Sequence, residues 1–227
     1  MKNIKNIIVF GSSGHAKVVI DAIQETNKYN IIGLVDDFKE EDTEVFGYKV
    51  LGKVSDLDYI LHKKFFNCEI DGGVIGIGDN FGRNSVFLKI KQLVPDFNFE
   101  TIVHPKAIVS KNVIIGNGTV LLPGTIVNNS CKIGNFCILN TKSSLDHDSV
   151  MEDFSSLAPG VTTGGKVTIG EFTAISLGAN IIHNITIGMH CVIGAGALVL
   201  KNVEDFSVTY GVPAKEIRKR NIGDSYL

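Results

Sequence analysis

His147 stands between two carboxylates in the run Asn140-Thr141-Lys142-Ser143-Ser144-Leu145-Asp146-His147-Asp148. An imidazole with its ordinary pKa of about 6.5 can take a proton at physiological pH. A carboxylate beside it fixes the tautomer of the ring and stabilises the imidazolium as it forms. Asp146 and Asp148 both qualify, and the sequence leaves the choice between them open. At eighteen-residue steps from His147 come Gly165, His183 and Lys201. Gly165 has no side chain, so its backbone N–H is available to a developing oxyanion.

The eighteen-residue step matters because of the elements that carry these residues. From Val109, an aliphatic residue recurs every sixth position: Ile115, Leu121, Val127, Ile133, Leu139, Leu145, Met151, Leu157, then Thr163, then Ile169 and onward to Val199. Thr163 is the one polar member, which suggests either a local backbone adjustment or a tolerated substitution. Two residues before each member lies a small or β-branched residue, among them Cys131, Cys137, Ser143, Ser149 and Cys191. A six-residue period excludes a helix or a hairpin and indicates a parallel β-helix, each unit giving one short strand and one corner. Three units close one turn. The aliphatic column and the small slot should both face inward, which makes these cysteines inert core thiols. Gly116, Gly134, Gly170 and Gly188 follow the column residue and are expected at corners with positive φ. With successive turns about 4.8 Å apart, Gly165 should lie one turn over His147, and His183 about 10 Å from it. The run from 109 to 199 holds no insertion, so the walls should be smooth.

The chain splits near residue 100. The first part, 1–100, alternates strand and helix signals: Ile7–Phe10, a tight Gly11-Ser12-Ser13-Gly14-His15 loop, helical spacing from Ala16 to Glu25, a strand from Ile31 to Val35 ending at Asp36-Asp37, a strand from Val74 to Gly78, and a helix from Arg83 to Leu93. This predicts a small parallel α/β sheet of Rossmann-like type. Ligands of such sheets lie at the C-terminal strand ends, where Ser13, Gly14, His15, Asp36, Asp37 and Gly78 fall. A helix N-terminus after the glycine loop suits phosphate. The loop lacks the third glycine of the dinucleotide fingerprint.

Composition narrows the field. A net charge of −2 gives no footprint for nucleic acid. No apolar run reaches a membrane span, and Met1–Ile4 opens no signal segment, so a cytoplasmic location is expected. No CxxC pair is present, and a disulfide is not expected.

Together, the Gly-x-Ser-Gly-His loop, the Asp-Asp strand end and the hexapeptide repeat resemble the sialic-acid-type sugar O-acetyltransferases. They are still more similar to the bacterial nucleotide-sugar N-acetyltransferases, the group that includes the Campylobacter pilin-glycan enzyme. The resemblance covers essentially the whole chain. It implies a left-handed β-helix over 101–227, an N-terminal sugar-nucleotide-binding domain over 1–100, acetyl-CoA as co-substrate, no metal, and a homotrimer with sites between subunits. It implies His147 as general base, Asp148 as the carboxylate that raises its basicity, and Gly165 as oxyanion donor. The family has Glu where Asp148 stands, and this Asp has a shorter reach. It places Ser13, Gly14 and His15 at the diphosphate and sugar, Asp36 and Asp37 at the uracil and ribose, Gly78 along the same pocket, and Asn140 near the sugar amine. Ser156, Gly165 and Ala195 fall beside coenzyme A, with Ser156 departing from a His in the relative. Gly211-Val212-Pro213-Ala214-Lys215 resembles the closing motif of these enzymes. The basic residues Lys215, Arg218, Lys219 and Arg220 suit a 3′-phosphate or a solvated terminal helix.

The implied reaction is direct acetyl transfer to the 4-amino group of a UDP-linked 4-amino-4,6-dideoxy sugar for surface-glycan synthesis, with sialic-acid-type O-acetylation as the alternative. A γ-class carbonic anhydrase-like zinc site on the same prism fails. His147 and His183 have its spacing, but the third ligand position is Gly188 and His190 is two residues away. A non-catalytic sugar-nucleotide scaffold is disfavoured by the intact His147-Asp148 and Gly165.

Overall fold

The computed structural model describes residues 4–63 and 68–225; Met1, Lys2 and Asn3 lie outside the described residues. The chain divides into two compact units, one of residues 1–78 and 82–102, the other of 79–81 and 103–227.

The first unit holds a three-stranded parallel sheet in the order β2-β1-β5, built from β1 (Lys5–Phe10), β2 (Tyr29–Val35) and, after the small hairpin of β3 (Glu44–Val45) and β4 (Tyr48–Lys49), β5 (Gly72–Ile75). Ile7, Ile8, Val9 and Phe10 are wholly buried, as the unbroken apolar run requires of a central parallel strand. Helix α1 (Gly14–Thr26) packs Ala16, Val19, Ile20, Ala22 and Ile23 inward and ends at Asn27, whose φ of 53° closes the helix in the left-handed conformation. A short 3-10 helix (Val54–Asp56) and the helices α2 (Leu57–His62) and α3 (Asn80–Leu93) complete the described elements of this part of the chain. Helix α3 starts earlier than the apolar spacing indicates.

The second unit is a solenoid of two-residue strands. Residue pairs step by eighteen without a slip: Ile108, Ile126, Ser144, Thr162, Asn180 and Leu198 line up along one wall. A second wall runs from Ile114 to Thr186, and a third from Ile102 to Val192. The repeat therefore begins one strand before Val109. Beyond Val199 the third wall continues into β-strands at Ser207–Gly211 and Ala214–Lys219, which pair antiparallel. The basic tail is thus an exposed edge strand, not a helix. The aliphatic column and the small slot form one continuous core, with Cys131, Cys137 and Cys191 wholly buried within it. Burial raises the thiol pKa of Cys131 and Cys191, which keeps them protonated.

The corner glycines correct one expectation. Gly116, Gly134, Gly170 and Gly188 do not have positive φ. A Cβ on Gly116 would fall 2.5 Å from the Gly134 carbonyl, and one on Gly170 would fall 2.6 Å from the carbonyl carbon of Gly188. These glycines let successive turns touch backbone to backbone. Positive φ instead recurs three residues after the column, at Gly118, Gly124, Ser130, Phe136, Lys142, Asp148, Phe154, Gly160, Lys166, Phe172, Gly178, Asn184, His190 and Gly196. Four of these residues stack their rings in near-parallel contact: Phe136, Phe154, Phe172 and His190, with centroids 4.7–5.3 Å apart. Phe206 extends the stack at 5.1 Å.

Candidate active site

His147 follows the strand Ser144–Leu145 and occupies a corner of the prism. Its Nδ1 lies 2.8 Å from Asp148 Oδ2. Asp146 acts elsewhere: its Oδ1 accepts the His147 backbone N–H at 2.8 Å and the Asn128 amide at 2.6 Å. Those two bonds lower the Asp146 carboxyl pKa. The choice left open by the sequence is settled in geometry, since Asp148 holds the ring and Asp146 holds the main chain. Asp148 has a positive φ of 59°, and its short side chain reaches the imidazole. Donation from Nδ1 to the carboxylate leaves the Nε2 lone pair as the basic site.

Gly165 lies one turn above. A Cβ built there would fall 2.5 Å from His147 Nε2 and Cε1. Only glycine lets the backbone approach the ring so closely. The Gly165 carbonyl accepts from Asn184 N–H at 3.0 Å, and Lys166 N–H donates to the His147 carbonyl at 2.8 Å. Among the described residues, the Gly165 N–H has no acceptor. Gly164 is glycine for a matching reason on its other side, where a Cβ would meet the His183 backbone nitrogen at 2.6 Å. Asp146, His147, Gly164, Gly165, Lys166, His183 and Asn184 line one open cavity of about 370 Å³. His183 therefore shares the cavity with His147, beyond what its spacing alone indicates. Lys201, two turns above Gly165, is exposed and outside that lining.

Asn140, Ser156 and Ala195 are not gathered with His147. Asn140 and Ala195 occupy the preceding edge of the prism, and Ser156 faces outward from the wall before that edge. The Asn140 carboxamide oxygen accepts the Thr141 N–H at 2.8 Å.

In the first unit a second cavity, of about 230 Å³, lies at the C-terminal ends of β1 and β2. Gly11, Ser12, Ser13, Asp36, Asp37, Phe38 and Ile77 are in its lining. Ser13 is the N-cap of α1, yet its hydroxyl makes no capping bond, and the first turn carries no acidic residue. The helix end thus keeps its positive character. Ser12, which the sequence did not single out, donates to Asp36 Oδ2 at 2.5 Å, while the other Asp36 oxygen accepts Phe38 N–H at 2.9 Å. Asp37 accepts Val54 N–H at 2.9 Å and Lys89 Nζ at 3.1 Å; these partners outweigh partial burial and lower its carboxyl pKa. Gly14, His15 and Gly78 lie outside this lining. His15 is largely buried, with Nε2 unpartnered among the described residues. Burial first, then the Arg83 guanidinium, pushes its pKa down to about 4, so the ring is neutral. Arg83 is itself buried and donates to the Ile77 and Gly78 carbonyls at 2.9 and 3.0 Å, closing the end of the chain segment that follows β5. Sequence spacing gave no sign of this buried cation. Among the described residues no three His, Cys, Asp or Glu gather to hold a metal ion, and no helix is long and apolar enough to cross a membrane.

Residues 6–90 match the family model of the PglD N-terminal domain. The chain is 32% identical over 121 residues to a UDP-N-acetylbacillosamine N-acetyltransferase of Bacillus subtilis (strain 168), a match spanning 52% of each chain, so about half of that relative's length. Among solved structures, PerB from Caulobacter crescentus, in complex with CoA and GDP-perosamine, is 30% identical. That likeness covers 94% of this chain and 97% of PerB, with a TM-score of 0.85. The acetyltransferase domain of PglB from Neisseria gonorrhoeae, in complex with acetyl coenzyme A, is 27% identical over 95% of this chain and 100% of that one, with a TM-score of 0.84. The α/β unit followed by a left-handed β-helix is their shared fold. The chain belongs to the nucleotide-sugar N-acetyltransferases of the hexapeptide-repeat family.

Proposed function

We propose that this chain transfers the acetyl group of acetyl-CoA to the 4-amino group of a UDP-linked 4-amino-4,6-dideoxy sugar, in the cytoplasm and in the service of surface-glycan synthesis. One observation carries the reading: the Asp148–His147 pair presents Nε2 beneath Gly165, whose N–H is unspent. Relatives that act on or bind sugar nucleotides of this kind support the substrate class.

His147 Nε2 accepts a proton from the sugar amine as its nitrogen forms the bond to the thioester carbonyl carbon. Asp148 stabilises the resulting imidazolium through Nδ1. The Gly165 N–H donates to the oxygen on which negative charge grows. As the carbon–sulfur bond breaks, His147 returns its proton to the departing sulfur. No acyl-enzyme forms, because the cysteines of the prism are sealed in its core. Placing both reactants against one corner supplies the orientation on which much of the rate depends.

In the first unit, Ser13 with the free N-terminus of α1 meets the diphosphate, Asp36 and Asp37 meet the uracil and ribose, and Gly14, His15 and Gly78 shape the approach to the sugar. Asn140, Ser156 and Ala195 stand off the edge that carries His147, so a second copy of the prism supplies them to the site. This is the reason to expect a homotrimer with three sites between subunits.

The test is acetylation of UDP-, dTDP- and GDP-linked 4-amino-4,6-dideoxy sugars and of free sialic acid, read by mass spectrometry. Acetylation of the UDP sugar that His147→Ala abolishes supports the reading. Preference for the GDP or dTDP sugar overturns the nucleobase assignment, and acetylation of sialic acid alone overturns the chemistry.

A further inference from the structure

Thr163 fills a position in the aliphatic column and is only 4% exposed. A hydroxyl in such a place is costly unless bonded, and its bond is unusual. In the rungs around it, the N–H after a column residue donates to the column carbonyl one turn on: Asn128 to Leu145 at 3.0 Å, Asn140 to Leu157 at 2.9 Å, Glu152 to Ile169 at 2.9 Å, Gly164 to Ile181 at 2.8 Å. At Asp146 the acceptor is the Thr163 hydroxyl, at 3.0 Å, in place of the carbonyl. Strand pairing shows the same break. Ser144 pairs with Thr162, but the Leu145–Thr163 rung is missing, while both rungs form on the turns below and above.

The opened rung lies between the turn that carries His147 and the turn that carries Gly165. Asp146, whose N–H the hydroxyl takes, holds the His147 N–H with its own carboxylate. A chain of contacts therefore runs from Thr163 Oγ1 through Asp146 to the base. A valine would fill the column equally well and offer no acceptor, so the usual carbonyl rung would close.

We propose that Thr163 is a positioning residue: its hydroxyl holds this rung open and sets the height of the His147 ring against the Gly165 N–H. The role of His147 as base is taken from the proposed function; the structural claim stands apart from it. The experiment compares the full-length protein with Thr163→Val and Thr163→Ser, and with Thr163→Ala should the valine variant misfold. Imidazole nitrogen resonances of His147, assigned by their loss in His147→Ala, are followed by NMR across pH, beside kcat and KM on the acetylated sugar. The expected result for valine is an unchanged or higher Tm, a moved His147 titration, and a kcat lower by about ten- to a hundred-fold at near-constant KM. Serine restores all three. Wild-type His147 resonances and kcat in the valine and alanine variants would overturn the proposal, as would a kcat loss that serine fails to restore. If wild type acetylates nothing in the panel while valine still moves the His147 resonances, the proposed function fails and the positioning role stands.

Discussion

The contact between Gly165 and the His147 ring leaves no room for a methyl group. Gly165→Ala should push the ring from its place and misdirect the oxyanion donor, lowering kcat by about 10²–10³-fold, as steady-state kinetics would show, with the circular dichroism of the prism retained. Asp148→Asn keeps a residue that tolerates positive φ and keeps a hydrogen-bond acceptor, but removes the charge. A drop in kcat of about ten-fold or more with little change in Tm is expected; wild-type kcat would show that Asp148 only props the corner. His15 sets a different kind of prediction. Its folded pKa, about 4, lies below its ordinary 6.5. Between these values the unfolded chain binds a proton that the folded chain refuses, so stability is full above pH 6.5 and declines as pH falls toward 4. Urea midpoints measured from pH 7 to 4.5 should fall with acid in wild type and fall less in His15→Gln. The closeness of His147 to Asp148 and to Gly165 was legible in the sequence, because a histidine flanked by carboxylates stands eighteen residues, one turn, before that glycine. Ser12 and Arg83 were not, because each acts on partners set by the fold: a serine on a carboxylate 24 residues away, an arginine on carbonyls at the end of a strand.

At the scale of elements, the six-residue period was legible, since burial of two side chains in every six, one aliphatic and one small, leaves its mark on the residue types at those positions. The positive-φ position was not. Phenylalanine, lysine, aspartate and histidine occupy it as well as glycine, so no residue type announces it. The glycines that composition did announce serve the contact between turns. The ring stack explains part of this choice. Each phenylalanine there accepts a conformation that costs about 1 kcal/mol and in return covers the ring of the next turn. Phe154, nearly buried between Phe136 and Phe172, should lose about 3 kcal/mol on replacement by alanine. A thermal melt of Phe154→Ala would check this, and a shift of less than a degree or two would show the stack to be incidental.

For the whole molecule, the proposal that one prism lacks part of its own site makes activity depend on association. Mass photometry should find particles of three 24.6-kDa chains, and specific activity should fall once dilution separates them. A monomer with undiminished activity would require Asn140 and Ala195 to be released from the site. The tail was misjudged because its alternating basic residues fit an exposed helix face and an exposed edge strand equally well.

The unbroken eighteen-residue spacing has an evolutionary consequence. Slipped replication that adds one whole turn below Asn140 would lengthen the prism and leave the spacing among Asn140, His147, Asp148, Gly165 and Ala195 intact, because each turn rests only on its neighbours. The same duplication between Lys166 and Ala195 would keep His147, Asp148 and Gly165 together yet carry Ala195 about 4.8 Å further along the edge. Length added above Lys166 therefore resets how far along the edge a bound ligand must reach.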